Sequence, residues 1–300
     1  MKLKLKLEKN LWQKLFLVVN MKLFKYVSSE RIDILEDGFI RFTQPQMLND
    51  PCEFKPVISS LKNESQINKE LCNDKLNQVL DEGIDKLPIE IREQAKLIFS
   101  NNEFRNHVVA NVSEEAKNLI QNNHVIGDIN KRMHSVFEKN IGILSLSGTN
   151  NNMLMWSHYA DGHAGFVMEF DYKNSFFDQR KSKDDKFRHV VKVKYQDAST
   201  YNLHDMNLED LITKSREWEY ENEYRMVVAL QDVNKVIDDD IYLFKLPFDV
   251  IKSIIFGVKS SNALKNRVKN ILKSKEKNHI TLFQSKIING GLEFKIVNLL

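Results

Sequence analysis

A long stretch of helical periodicity, set between segments of strand character, most constrains the fold of this chain. From about Leu61 to Asn140, Asn, Lys, Glu and Gln are abundant and apolar residues recur every three or four positions. Only Pro88 and two glycines interrupt that stretch. Such spacing is typical of amphipathic helices, and it predicts three or four of them here.

Apolar and β-branched runs on both sides of this stretch predict strands. Before it, Leu23–Val27 and Phe39–Thr43 flank a short helix over 29–37 that Gly38 ends. After it, strands are predicted over Ile141–Leu146, Gly165–Phe170, Val190–Tyr195, Tyr224–Leu230, Ile241–Leu246, Ile251–Phe256, Ile280–Ile288 and Leu292–Val297, and helices over Asn150–Ala160 and Ser261–Lys273. The pattern predicts an α+β fold with mixed, mostly antiparallel central sheets, as one domain over residues 21–300 with a helical insertion at about 61–140.

Residues 1–20 superficially imitate a secretory signal, with a lysine-rich start and an apolar run at Leu15–Val19. That run has five residues and no small-residue cleavage site follows it, so a signal peptide is not expected. No stretch approaches the roughly 20 apolar residues of a membrane span. An appended strand, favoured by the Lys and Leu alternation of Lys2–Leu7, and an extension before a second start at Met21 both stay open.

Composition excludes several classes of protein. Cys52 and Cys72 are the only cysteines, so neither a disulfide framework nor a Cys-rich zinc site is expected, and a reducing, cytoplasmic compartment fits. The net charge of +3 is spread along the chain and gives no strong argument for nucleic acid. Phosphate-binding Gly-rich, zinc-protease and serine-hydrolase motifs are absent from the sequence.

The first of three polar groups combines Lys25 and Tyr26 on the first predicted strand with the turn at Asn49, Asp50, Pro51 and Glu53. Asn and Asp side chains before a proline bond their own backbone, which is typical of a structural turn. Polar groups at the end of a strand are also typical of ligand-contacting loops. Both interpretations stay open for this group.

The second group comprises Ser145 and Ser147, helix-capping amides at 150–152, and the run Trp156-Ser157-His158-Tyr159, followed by His163 and Glu169. On a helix, Trp156 and His158 lie about 200° apart, so one is expected to pack inward and the other to face a cleft. A core role for Trp156 and a half-buried pair of His158 and Tyr159 are the structural alternatives.

The third group contains Lys214, Trp218, Glu219, Glu221, Glu223 and Arg225. If a strand begins near Glu221, then Glu221, Glu223 and Arg225 project from one face. Adjacent carboxylates raise the proton affinity of one of them, and Arg225 or Lys214 lowers it again, as for a general base or an electrostatic stabiliser. A solvated, charged edge strand is the structural alternative.

Together these residues resemble the bacterial family named domain of unknown function 2971. The resemblance runs from about residue 23 to 257, through Lys25-Tyr26, the Asn49 to Glu53 turn, the Met155 to Phe170 segment, and Lys214, Trp218, Glu221, Glu223 and Arg225. Members of that family are mostly unassigned, and some lie in phage-defence neighbourhoods. The resemblance therefore implies a toxin or phage-defence effector, with a partner protein in a defence or toxin–antitoxin system.

A weaker resemblance is to the ADP-ribosyltransferase superfamily, in which a first strand, a central hydroxyl-bearing segment and a late Glu-x-Glu strand surround NAD. It implies catalytic roles for Glu223, Glu221, His158 and Tyr159 in an NAD-consuming transferase. It also implies NAD contacts from Lys25, Tyr26, Asn49, Asp50, Ser145, Ser147, Trp156 and Arg225. The first position is not the usual Arg or His, and residues 61–140 are a large interruption. The acceptor is a protein, a nucleic acid or a small molecule.

Two other classes of function stay open. One is a metal-dependent hydrolase or nuclease in which Asp50, Glu53, Glu221 and Glu223 hold magnesium, since oxygen ligands suit that ion. The other is a non-catalytic, ligand-sensing or partner-binding subunit whose aromatic and charged cluster recognises its target.

Overall fold

The computed structural model of the protein describes residues 21–50, 53–120, 123–197 and 200–297. The expectations for residues 1–20, Pro51 and Cys52 lie outside the described residues. The chain divides into two compact units. The first contains Met1–Phe54, Phe137–Asp197 and Ile212–Leu300, and the second contains Lys55–Val136 and Ala198–Leu211. The second unit holds most of the predicted helical insertion, together with a segment that the sequence pattern had not joined to it.

The strands are β1 (Leu23–Val27), β2 (Phe39–Arg41), β3 (Val57–Ser60), β4 (Ile141–Ser147), β5 (Phe166–Phe170), β6 (Val190–Lys192), β7 (Lys194–Tyr195), β8 (Thr200–Asn202), β9 (Thr213–Lys214), β10 (Glu223–Ala229), β11 (Lys235–Ile237), β12 (Ile241–Lys245), β13 (Ile251–Phe256), β14 (Thr281–Ile288) and β15 (Gly291–Val297). The α-helices are α1 (Asp33–Asp37), α2 (Glu64–Glu70), α3 (Asn73–Asp85), α4 (Ile89–Phe99), α5 (Asn102–Ile120), α6 (Asn123–Asn140), α7 (Met153–Tyr159), α8 (Leu208–Leu211) and α9 (Asn262–Ser274).

An eight-stranded sheet forms the centre of the first unit, in the order β15, β14, β13, β5, β1, β4, β10, β6. Neighbouring strands of this sheet are antiparallel, except β13 and β14, which are parallel. Parallel neighbours need a crossover connection, and α9 supplies it. The Ser261 side chain caps the start of α9, and Leu264, Val268, Ile271 and Leu272 bury one face of this helix. The predicted mixed, mostly antiparallel α+β fold is therefore confirmed.

Alternation along the central strands separates two apolar clusters. The larger one includes Leu144, Leu146, Met226 and Val228, whose side chains point to one face of β4 and β10. The smaller one contains Phe24 and Tyr26 of β1 with Met155 and Trp156 of α7. Ser145, Ser147, Glu223 and Arg225 alternate with the first set, so they lie on the opposite face of the sheet.

A three-stranded sheet in the order β11, β12, β2 and the short pair β7 and β9 complete the strands of the first unit. Gly38 ends α1, as the sequence predicted. It adopts the left-handed conformation with a φ of 72°, which glycine reaches without steric cost.

The second unit contains α2–α5, α8 and most of α6, with β3 parallel to β8. The Asn130 side chain of α6 binds both backbone groups of Ile58 in β3, at 2.8 and 3.0 Å. The residue range 61–140 contains five described helices rather than three or four. The expected number was too low because α2 and α3 are separated at Leu71 and Cys72, where no proline or glycine marks a break.

None of the helices in the described part of the chain combines the length and the apolar composition that crossing a bilayer demands.

Candidate functional site

Strand register brings the polar residues of three neighbouring strands together. Ser147 of β4 pairs with Phe24 of β1 on one side and with Glu223 of β10 on the other, and Ser145 pairs with Arg225. Residues directly opposite each other in antiparallel strands present their side chains on the same face. The serines, Glu223 and Arg225 therefore share one patch of the sheet.

A cavity of about 230 Å³ lies over this patch and opens to solvent. Phe24, Leu48 and Met155 are among its apolar lining residues. The sequence-predicted site residues that line it are Lys25, Tyr26, Asn49, Ser145, Ser147, Tyr159, Glu221, Glu223 and Arg225. The cavity thus unites residues from all three polar groups of the sequence.

Buried ion pairs form the floor of the cavity. The guanidinium of Arg225 binds both carboxylate oxygens of Glu223 at 2.8 Å and also donates to Glu53. The Lys214 ammonium lies 2.9 Å from Glu53, 2.6 Å from Glu221 and 3.4 Å from Glu223. All five side chains are at most 5% exposed. Each carboxylate therefore has a cationic partner, as buried charges require.

Glu221 does not belong to β10, so the expectation that it continues the alternation of that strand was wrong. It ends a 3-10 helix over Arg216–Glu221, and Asn222 after it adopts the left-handed conformation with a φ of 44°. This reversal replaces strand alternation as the reason why Glu221 and Glu223 line the same cavity.

Glu221 is connected to the rim of the cavity through a tyrosine. The Tyr159 hydroxyl donates to Oε1 of Glu221 at 2.6 Å, and the Asn49 amide donates to the same hydroxyl at 2.5 Å. Lys214 holds the other oxygen of Glu221. Glu221 thus has a cation on one side and a neutral phenol on the other.

The environments of the two carboxylates push their pKa values in opposite directions. Burial raises the pKa of Glu221, and the bonds from Lys214 and Tyr159 compensate only in part. Burial also acts against ionisation of Glu223, but Arg225 and Lys214 outweigh it and lower the pKa to about 2. Glu223 is therefore a permanent anion, whereas Glu221 can exchange a proton more readily.

Lys25 and Tyr26 line the wall formed by β1. The Lys25 ammonium donates to the Ser145 carbonyl at 3.0 Å, and burial lowers its pKa to about 8. The Tyr26 hydroxyl donates to the Thr149 carbonyl at 3.0 Å. Burial raises the pKa of Tyr26, so this hydroxyl stays protonated and acts as a hydrogen-bond donor.

Three of the sequence-predicted site residues do not line the cavity. Trp156 is completely buried behind it, where its ring packs edge-on against Tyr26 at 5.5 Å and its Nε1 donates to the Asn150 carbonyl. His158 is exposed and bonds the Tyr220 hydroxyl through Nδ1 at 3.2 Å. Asp50 is buried outside the lining. Trp156 packs inward, as expected for one of the two residues, so it cannot contact a ligand in the cavity directly. His158 is exposed to solvent and does not face the cavity as the other was expected to.

Some lining residues were not predicted as site residues. Glu53 was expected only as a metal ligand and Lys214 only as a cation beside the carboxylates, and both lie in the ion-paired floor. Thr43, Met47 and Leu48 were missed. Met47 and Leu48 could have been found from the sequence, because adjacent apolar residues in an otherwise polar loop indicate a contact with an apolar surface or ligand.

The predicted metal-binding alternative finds no ligand set in the residues that the structure describes. No group of three or more His, Cys, Asp or Glu side chains there is arranged to hold a metal ion. Lys214 and Arg225 instead occupy the space between Glu53, Glu221 and Glu223.

The fold and the site define an α+β protein with a small cavity whose buried floor carries three carboxylates and two cations. Residues 155–226 of the chain match the model of the family described as "Protein of unknown function (DUF2971)". This match confirms the family resemblance in the segment that contributes Tyr159, Lys214, Glu221, Glu223 and Arg225 to the cavity. Comparison with curated proteins and with solved structures gave no match.

Proposed function

We propose that this protein cleaves the N-glycosidic bond of NAD and transfers the ADP-ribosyl group to an acceptor. The observation that carries the proposal is the acidic floor of the cavity. Glu53, Glu221 and Glu223 outnumber Lys214 and Arg225 by one formal negative charge. The nicotinamide ring of NAD is cationic, so such a floor attracts it. Lys25 is a third cation of the lining, and below its pKa of about 8 it balances this excess. The attraction is therefore expected above that pH, where Lys25 is deprotonated.

The size of the cavity fits one part of the dinucleotide. Pockets that enclose drug-sized ligands have volumes of roughly 300–1,000 Å³, and this cavity of about 230 Å³ is somewhat smaller. It can enclose the nicotinamide ring and its ribose but not the whole of NAD. Phe24 and Met155 offer apolar surface for the ring, and the half-buried Ser145 offers a polar group for its amide or the ribose hydroxyls.

The permanent anion suits bond cleavage. When the bond between the ribose C1′ and the ring nitrogen breaks, its electron pair stays on the nitrogen and neutral nicotinamide leaves. Positive charge then develops on the ribosyl centre. Glu223 is held as a carboxylate by Arg225, so its negative charge is in place before that positive charge appears. A preorganised charge of this kind stabilises a transition state without reorganisation.

Glu221, the second carboxylate, can take up the proton that the acceptor loses. Glu221 has a raised pKa, and Tyr159 connects it to Asn49 at the rim. An acceptor oxygen or nitrogen forms the new bond to C1′ and loses a proton, which Glu221 takes up. Two carboxylates whose environments push their pKa values apart are the usual basis for such a division of roles. Water serves as the acceptor when no other is present.

The test is nicotinamide release from NAD by the purified protein and by Glu221→Gln and Glu223→Gln. Both variants are expected to lower the rate about 100- to 1,000-fold, the usual loss for one electrostatic stabiliser. Glu169→Gln is the matched control, because Glu169 is a half-buried carboxylate on β5 that bonds Ser253 and lies outside the cavity lining. This variant should keep the wild-type rate.

Circular dichroism checks folding, since Glu223→Gln leaves Arg225 without its main partner and Glu221→Gln does not. Wild-type protein that neither binds NAD nor releases nicotinamide would contradict the proposal. Binding without release would instead support the ligand-sensing alternative.

A further inference from the structure

Four aromatic side chains follow one another along the surface beside the cavity. The ring centroids of Tyr159 and His158 are 6.1 Å apart, those of His158 and Tyr220 are 6.2 Å apart, and those of Tyr220 and Trp218 are 6.1 Å apart. These four residues are called the aromatic row. Tyr159 and His158 come from the end of α7, and Tyr220 and Trp218 come from the 3-10 helix over Arg216–Glu221.

The aromatic row is not part of the buried core. His158 is exposed, and the other three side chains are half-buried. Tyr159 and Tyr220 only pack against the smaller apolar cluster. Because aromatic rings contribute most to stability when they are buried, several of them together at the surface indicate a binding surface.

The aromatic row continues directly from the cavity. Tyr159 belongs to both, since its ring contacts His158 while its hydroxyl binds Glu221 on the cavity floor. A ligand that is too large for the cavity can therefore extend over these rings without leaving the protein surface.

The chemistry of the aromatic row matches a flat, uncharged base. Aromatic side chains bind bases by stacking, worth about 1–3 kcal/mol per base. The Lys214 ammonium lies over the Trp218 ring at 4.5 Å. A quaternary ammonium ligand would meet this positive charge, whereas a neutral base attached to phosphates would not be disfavoured by it.

We propose that the aromatic row binds the adenine ring of NAD while nicotinamide occupies the cavity. This assignment rests on the proposed function and adds a second subsite to it. It accounts for a cavity that holds only part of the dinucleotide, and for the exposed position of His158.

Titration calorimetry with two probes tests the assignment. Adenosine monophosphate carries the adenine end of NAD alone, and nicotinamide mononucleotide carries the other end alone. Wild type is expected to bind both. The double variant His158→Ala with Tyr220→Ala should bind adenosine monophosphate about 5- to 150-fold more weakly, as the loss of one stacked base predicts. Its affinity for nicotinamide mononucleotide should be unchanged.

Two further variants sharpen the test. His158→Phe keeps an aromatic ring and should keep the affinity for adenosine monophosphate. Leu154→Ala alters another exposed side chain of α7 and should also leave that affinity unchanged.

Adenosine monophosphate that binds wild type and the double variant equally well, or that binds neither, would overturn the assignment and leave the aromatic row as surface packing only. The proposed function fails separately. In that case nicotinamide is not released and nicotinamide mononucleotide does not bind, while adenosine monophosphate still binds wild type more tightly than the double variant.

Discussion

Glu221 and Glu223 are neighbours in sequence, but their partners differ. Glu223 is held by a guanidinium that binds both its oxygens, whereas Glu221 shares an ammonium with two other carboxylates and takes its second bond from a neutral phenol. A charged, bidentate donor stabilises an anion more than a phenol does. This difference explains why one carboxylate is a permanent anion and the other is suited to proton transfer.

Tyr159→Phe tests the role of the phenol. The hydroxyl donates to the ionised form of Glu221 and so lowers the pKa of that carboxyl. A hydrogen bond to a charged group is worth about 1.5–3 kcal/mol, so its removal should raise the pKa by about 1–2 units. NMR titration of the Glu221 carboxyl carbon measures this shift, and the acidic limb of the rate profile for nicotinamide release should move with it.

Tyr26→Phe is the control for this experiment. It makes the same change in the same cavity, but the Tyr26 hydroxyl donates to a backbone carbonyl. The pKa of Glu221 should therefore stay at its wild-type value. Equal shifts in the two variants would show that loss of any cavity hydroxyl has this effect, which contradicts a specific bond to Glu221.

Lys25→Met should stabilise the protein. Burial lowers the pKa of Lys25 from 10.5 to about 8, so between these values the unfolded chain binds more protons than the folded one. The cost of burying the ammonium is fully present below pH 8 and disappears as the pH rises towards 10.5. The variant removes this cost, so its free energy of unfolding at pH 7 should rise by about 1–3 kcal/mol. Urea unfolding at pH 7 and pH 9.5 measures the free energy of unfolding of wild type and variant. If the stability of the variant rose between these pH values as much as that of wild type, the buried Lys25 ammonium would not be the cause.

At the scale of elements, the junction between the 3-10 helix over Arg216–Glu221 and β10 places the two carboxylates. Asn222 turns the chain through the left-handed region, and its backbone carbonyl accepts from Gly148 at 2.8 Å. The Asn152 amide at the start of α7 donates to the Tyr220 carbonyl at 3.1 Å, which joins the end of that 3-10 helix to α7. The 3-10 helix, β10 and the start of α7 therefore meet beside Glu221 and fix the orientation of its side chain.

Substitutions of Asn222 test this junction. Asn222→Gly keeps the left-handed conformation and should change the free energy of unfolding by less than about 1 kcal/mol. Asn222→Val places a β-branched residue at a φ of 44° and should cost about 1–3 kcal/mol. Urea unfolding measures the costs, and nicotinamide release should fall in the valine variant alone. A valine variant as stable as the glycine variant would show that this conformation is not required.

At the scale of the whole molecule, the ion-paired floor ties stability to pH. The pKa of Glu223 is lowered from 4.5 to about 2, so its ion pairs contribute stability that is fully present above pH 4.5 and is lost as the pH falls towards 2. This contribution is worth about 3 kcal/mol. The free energy of unfolding of the first unit should therefore fall as the pH drops from 4.5 to 2, because protonation of Glu223 breaks its ion pairs.

Acid unfolding of Glu223→Gln measures this contribution. Fluorescence of Trp156 and Trp218 reports on the first unit, because both residues belong to it. Between pH 4.5 and 2 the variant should lose less stability than wild type. Its stability at pH 7 should be lower, because Arg225 keeps only Glu53 as a close partner. Glu169→Gln should lose stability with falling pH as wild type does. If Glu223→Gln also lost as much stability as wild type between pH 4.5 and 2, the ion pairs of Glu223 would not be the source of the acid sensitivity.

Local sequence patterns determined most of the elements. Apolar and β-branched runs gave β1 and β13 with their exact bounds, and the apolar spacing of α9 together with Ser261 gave that helix to within one residue. Helical periodicity also separated most of the second unit from the strands. These signals are local, because they depend on which side chains a single strand or helix must bury.

Only the tertiary structure decided how the site is assembled. The register of β1, β4 and β10, the left-handed Asn222 and the packing of α7 determine that Tyr159 lines the cavity while His158 does not. Pairing between strands far apart in sequence depends on how the whole core packs, and no run of residues specifies it alone. The residue types that make an acidic, hydroxyl-rich site were evident from the sequence, but the partner of each carboxylate, and hence its pKa, came from the fold.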